Sequence, residues 1–218
     1  MSHAASSRRC LVVLSLIWGG LLASPELGLA QTVAGEAQAV QATVFGTTTV
    51  LAGTGTLSGS SDALQAPSIV GSVPSLLSGD SLHATALGDT SEVASEASLG
   101  SLGLSLAGNA ISADFVMARA FDVAGIGATG QLSIDGLSIN GVPVSVTGAA
   151  NQTVPIFGGT LIINEQQIGS AGALVNALHI IVNGVGDVII ASATAGIPPS
   201  SGSTLLNPDP GISLPGLP

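Results

Sequence analysis

Asn140-Gly141 sits between two short alternating segments, Leu137-Ser138-Ile139 and Val142-Pro143-Val144-Ser145-Val146. Asn-Gly flanked this way is the strongest short-range hairpin signal, because a type I′ turn needs positive φ at both central residues. The same punctuation recurs. Asn183-Gly-Val-Gly-Asp187 separates Val175 to Val182 from Val188 to Ala195, and the near-continuous run Leu178-His-Ile-Ile-Val182 predicts a strand buried on both faces. Pro143 has no N–H to give, so the strand returning from Asn140-Gly141 should have an unpaired or edge position. Leu132, Ile134, Leu137 and Ile139 are apolar but change parity at Asp135-Gly136, which predicts a β-bulge with one extra residue there.

Ile111 to Val123 alternates strictly, with Ile111, Ala113, Phe115, Met117, Arg119, Phe121 and Val123 on one side and Ser112, Asp114 and Asp122 on the other. Phe115, Ala118 and Phe121 would also share a helical face. Strand is preferred because Gly108-Asn109 and Gly125 suit hairpin connections. Further strands are expected at Val40 to Leu51, Leu82 to Leu87, Glu92 to Leu106 and Thr160 to Gln166. Residues 52–81, rich in Gly, Ser and Pro, read as a long surface excursion with one short strand near Ile69. No fixed-period repeat demands a solenoid. The expected fold class is all-β, a β-sandwich-like domain of long antiparallel hairpins over residues 31–197.

The N-terminus has a different grammar. Arg8 and Arg9 precede the apolar run from Cys10 to Ala23, and Gly28-Leu29-Ala30 follows. This is the pattern of a secretory signal peptide over residues 1–30, with cleavage between Ala30 and Gln31. The apolar run is shorter than the ~20 residues that span a bilayer. The Pro/Gly/Ser-rich tail, 198–218, is expected to be disordered and has no apolar stretch followed by basic residues that would anchor it.

Removing residues 1–30 takes Glu26 from 13 acids and Arg8 and Arg9 from 3 bases, leaving 12 acids and the single cation Arg119. Cys10 also goes, so disulfides, thiol catalysis and cysteine-ligated metals are excluded from the exported chain. A net charge of -10 gives no basic footprint for nucleic acid. Charged residues total 7 % against about 25 % in ordinary domains, while hydrophobic residues reach 46 %, which does not fit charge-driven disorder.

Several stretches of the C-terminal half carry a resemblance: Ile111-Ser-Ala-Asp-Phe-Val-Met-Ala-Arg119, Gly136-Leu-Ser-Ile-Asn-Gly-Val-Pro143 and Asn151-Gln-Thr-Val-Pro-Ile156. Gly159-Thr-Leu-Ile-Ile-Asn-Glu-Gln166, Val175-Asn-Ala-Leu-His-Ile180 and Asp187-Val-Ile-Ile-Ala191 continue it. In order and spacing the chain over 105–197 resembles the choice-of-anchor P family of secreted bacterial proteins. The resemblance implies an extracellular domain whose members differ in their tether, and it implies no enzymatic activity.

The candidate chemistry is sparse. Asn164, Glu165, Asn176 and His179 would form a polar cluster if their strands pair, and an exported hydrolase would use His179 as a base oriented by Glu165. No Gly-x-Ser-x-Gly elbow nominates a nucleophile, so a core or edge histidine with a hydrogen-bonded partner is preferred. Nothing in the spacing of His83 and His179 supports a shared metal. Arg119 lies on the apolar parity and should form a structural ion pair, with Asp114, Asp122 or Glu165 as partner. Asp135-Gly136, Asn183-Gly184 and Asp187 lack the oxygen-rich array of a calcium loop and read as turns. Asn151-Gln-Thr153 is a glycosylation sequon that matters only in a host that modifies it. Phe45, Phe115, Phe121 and Phe157 are expected in the core, which leaves no aromatic platform for carbohydrate.

The expected protein is therefore a secreted, non-catalytic structural or interaction module of the cell surface or extracellular space. It needs no cofactor or metal, and it pairs with itself or other envelope proteins through strand edges. A small-ligand carrier with a lined apolar cavity is the further alternative to the hydrolase.

Overall fold

The computed structural model describes residues 32–198. The expected signal peptide, its Ala30/Gln31 cleavage site and the tail from 199 lie outside the described residues. Among the described residues there are thirteen strands and no helix. They are β1 (Ala34–Val44), β2 (Thr47–Gly53), β3 (Ser61–Val73), β4 (Leu77–Asp89), β5 (Glu92–Leu106), β6 (Asn109–Val123) and β7 (Gly127–Asp135). They continue with β8 (Ser138–Ile139), β9 (Val142–Pro143), β10 (Gln152–Ile156), β11 (Gly159–Gly169), β12 (Gly172–Val182) and β13 (Gly186–Gly196).

Two antiparallel sheets pack face to face as a β-sandwich. One runs β10-β11-β12-β13-β1-β2, and the other β3-β4-β5-β6-β8-β9, with β7 also paired to β6. Nearly every neighbour in a sheet is also a neighbour in sequence; the exceptions are β13 closing on β1 and β8 pairing with β6 across β7. Only two connections, β2 to β3 and β9 to β10, change sheet. Pro143 lies on the terminal strand β9, where its missing N–H costs no ladder bond.

The core between the sheets is built from Ala, Val, Leu and Ile, with Leu82, Leu99, Leu161, Leu178 and Ile190 among the largest fully buried side chains. None of the four Phe is in it. Phe45 and Phe157 are exposed, and Phe115 and Phe121 are half-buried on an outer face. Phe45 and Phe157 stand in turns, and Phe115 and Phe121 alternate with the core-facing Val116, Ala118 and Ala120.

Each sheet carries a transverse line along which strands exchange their inward and outward parity. In β12 the core residues are Ala173, Val175 and Ala177, then Leu178, Ile180 and Val182, and Asn176 is buried on the other face. Across that sheet Asn164, Ala177, Ala191, Ala39 and Ala52 face one another at positions skipped by the ladders, while the pairs on either side keep one register. Asn164, Ala191 and Ala52 have φ of 57°, 53° and 48°. A left-handed residue rotates the strand about its own axis, so the faces exchange without any residue being inserted.

The second sheet repeats the device through Ser81 (φ 51°), Ser101 (φ 51°) and Gly136 (φ 66°), with a local register irregularity at Asp80 of β4 on either side of which the pairing with β5 is unchanged. The expected bulge at Asp135-Gly136 is thus corrected. Phe115↔Asp135 and Ser112↔Ser138 keep the same register, and the parity change comes from Gly136 itself. Asp114 packs where a Cβ on Gly136 would stand.

The same line corrects the reading of Ile111 to Val123. It is one strand, but its odd positions are buried only as far as Ala113, and Val116, Ala118 and Ala120 face the core beyond it. Two further boundaries move. Val40 to Leu51 is two strands joined at Phe45-Gly46, whose φ of 48° and 80° make a type I′ turn. Residues 52–81 contain the 13-residue β3 and the start of β4 in place of an excursion. Its alternation, carried by Ala, Pro and Ser around a few apolar residues, is too weak to read as a strand from sequence.

Candidate functional site

Glu165 on β11 stands opposite Asn176 on β12. The parity change at Ala177 puts Asn176 and His179, three residues apart, on the same outer face of the sheet. Asn176 donates from Nδ2 to Glu165 Oε2 at 2.7 Å. His179 Nδ1 lies 2.8 Å from the same Oε2, and His179 Nε2 lies 2.8 Å from Asp187 Oδ2 on β13. The imidazole is therefore held between two carboxylates on the two flanking strands.

Burial works against the charged imidazolium and is the largest single influence on it. The hydrogen bond and charge of Asp187, joined by those of Glu165, outweigh that influence and raise the His179 pKa above its ordinary 6.5. Both atoms bonded to the ring are carboxylate oxygens, with no hydroxyl among them, so the protonated ring donates from both nitrogens and cross-links three strands.

Three of the four residues expected to cluster are thus brought together. Asn164 is not. It occupies the left-handed position of β11, is buried, donates to the Gly148 carbonyl at 3.0 Å and accepts from Gln166 at 2.7 Å. Asp187 is the member that the sequence does not single out, because an Asp closing Asn183-Gly-Val-Gly is explained by the turn alone. The signal was the hairpin register, in which Ile181↔Asp187 sets Asp187 diagonally beside His179.

Arg119 pairs with Glu96, directly opposite it on β5, and not with Asp114, Asp122 or Glu165. The parity change explains the correction: Arg119 lies on the outer face, so its guanidinium needs no buried carboxylate. With His83, Thr85, Leu87 and Phe121 this pair lines a solvent-open groove of about 410 Å³. His83 hydrogen-bonds Gln65 at 2.8 Å and lies on the other sheet from His179, with the core between them. Among the described residues no group of three or more His, Cys, Asp or Glu is arranged to hold a metal ion. In turns, Asp62 accepts the N–H groups of Ser58 and Ala63, and Asp89 accepts the Ser91 hydroxyl and then the N–H groups of Ser91 and Glu92, which lowers the pKa of both.

No helix among the described residues is long and apolar enough to cross a membrane. Comparison of the chain with family models, with curated proteins and with solved structures finds no match.

Proposed function

We propose that this protein is a secreted, non-catalytic structural or interaction module that engages a second copy, or another protein of the cell envelope, by strand addition. The observation that carries this reading is the difference among the five strands that pair on one side only, of which β7 pairs with β6 alone and carries the charged Asp135. β3, β9 and β10 contain Pro67, Pro143 and Pro155, a residue that blunts an edge. β2, Thr-Thr-Thr-Val-Leu-Ala-Gly, has neither proline nor charge and pairs only with β1. The type I′ turn makes Val44↔Thr47 a hydrogen-bonded pair, so the N–H groups of Thr48 and Val50 point to the open edge. An extended partner would find there a β-branched, uncharged template.

The resemblance to the choice-of-anchor P family and the signal-peptide pattern supply the extracellular setting of this proposal. The hydrolase alternative asks for a ring nitrogen free to take a proton, and both nitrogens of His179 are engaged. The carrier alternative asks for an enclosed apolar cavity between the sheets, where tightly buried Ala, Val, Leu and Ile side chains stand.

Size-exclusion with light scattering on residues 31–218, alone and mixed with an envelope fraction of the source, tests the proposal. Assembly or retention that is lost in Val50→Pro, with the melting temperature little changed, is the expected result. A monomer that ignores the envelope, or assembly indifferent to Val50→Pro, would overturn it.

A further inference from the structure

The two ends of the sandwich differ in chemistry. One end gathers six turns: Phe45-Gly46, Pro74-Ser75-Leu76, Ala107-Gly108, Asn140-Gly141, Phe157-Gly158 and Asn183-Gly184-Val185. None contains a charged residue. They are tied side by side: Phe45 N–H donates to the Val185 carbonyl and Asn183 N–H to the Gly158 carbonyl. Buried Asn109 joins the two sheets there, donating to the Phe157 carbonyl at 2.9 Å and accepting from Phe157 N–H at 2.8 Å. Phe45 is 80 % exposed, Phe157 75 % and Val142, just past Asn140-Gly141, 65 %. Alternate turns of one sheet stand about 10 Å apart, twice the strand spacing. The two rings thus cap a short row with Val185 between them.

The opposite end holds five of the eleven acids among the described residues. Asp62, Asp89 and Glu92 sit in or beside its connections, with Glu36 and Asp122 within the adjoining strand ends. Ile126 and Ile168 are also exposed there, at 84 % and 50 %, but among those carboxylates.

From this polarity we infer that the uncharged turn end docks onto a lipid surface, its Phe45, Phe157 and Val142 side chains entering the boundary between headgroups and acyl chains. Apolar tips on separate convex hairpins suit a fluid surface, which closes around each side chain, better than a folded partner that would need a shaped pocket for every one. The charge distribution fits a zwitterionic rather than an anionic surface. Among the described residues no basic residue lies at the docking end, five acids lie at the other, and Asp187, two residues beyond Val185, is hydrogen-bonded to His179. The inference stands apart from the β2 edge proposal, because the tips and the edge are different residues.

Flotation of the purified protein with phosphatidylcholine vesicles tests it. Salt-insensitive binding is expected, weaker when anionic lipid is added. Phe45→Ser and Phe157→Ser should each lower the partition coefficient about tenfold, as partial burial of one ring implies. Val142→Ser should lower it less, and Ile126→Ser at the acidic end should leave it unchanged. All four side chains are exposed, so the variants should melt as the parent does. Absence of vesicle binding, equal binding by the double Phe variant, or equal loss in Ile126→Ser would overturn the inference. So would a double variant that loses only self-association by light scattering, which would assign this end to a second copy.

Discussion

His179 Nε2 and Asp187 Oδ2 are 2.8 Å apart, joining the β12 strand to the diagonal position of β13 on an outer sheet face. With Glu165 on the other nitrogen, this bond makes the histidine a pH-dependent fastener. Its folded pKa is raised, so its contribution to stability is fully present below the unfolded value near 6.5 and is lost as pH rises through the folded value. His179→Gln should therefore destabilise by about 1–3 kcal/mol near pH 6, as hydrogen bonds to charged groups do. The difference should shrink as pH rises. Denaturant melts of both proteins from pH 5.5 to 9 would show it, and a constant difference would contradict the charged cross-link.

Asn109 has a structural role of comparable weight. It is 1 % exposed and forms three hydrogen bonds, two to the Phe157 backbone and one to the Leu106 carbonyl at 3.1 Å. Asn109→Ala leaves the buried backbone groups without it and should cost about 2–3 kcal/mol. In a domain of this size that is a fall of about 5–10 °C in Tm by calorimetry.

Ser101 should respond in the reverse of the usual sense. Its φ is 51° and it is exposed, so Ser101→Gly removes a left-handed strain without removing packing. A gain of about 0.5–1 kcal/mol is expected after the added unfolded-state entropy is counted. Ser105→Gly on the same strand, where φ is not positive, should lose about 0.5–1 kcal/mol. Urea melts of the pair measure the difference, and equal losses would show that the parity change at Ser101 carries no strain.

Gly172 is irreplaceable for two separate reasons. A Cβ there would lie 2.2 Å from the Ala195 carbonyl oxygen, and φ is 125°. Gly172→Ala should cost more than about 3 kcal/mol, or abolish soluble expression. Gly169→Ala, at the other side of the same turn with nothing within 4 Å, should be tolerated.

The strands legible in the sequence were β6 by its alternation, β12 and β13 by apolar runs between turn residues, and the Asn140-Gly141 hairpin, although the outer face of β12 at His179 and Ile181 is only half-buried. Strand β3 was not, because Pro67 and a run of small or polar residues mask its alternation. Glu165, Asn176 and His179 were legible as a cluster because adjacent hairpin strands bring them level. Asp187 was missed because Asp after Asn-Gly is explained well enough by the turn alone.

The sequence by itself determined that this chain forms antiparallel hairpins, since turn chemistry and period-two alternation act over a few residues. It also determined that most of the core is aliphatic, given so many Ala, Val and Leu. Only the tertiary structure decided which face each half-strand presents. Ala52, Ala191, Ser81 and Ser101 have no intrinsic preference for positive φ, and they adopt it because the aligned strands beside them turn over at the same level. That collective twist sends Arg119 and the Phe115 and Phe121 rings outward and seats His179 between two carboxylates.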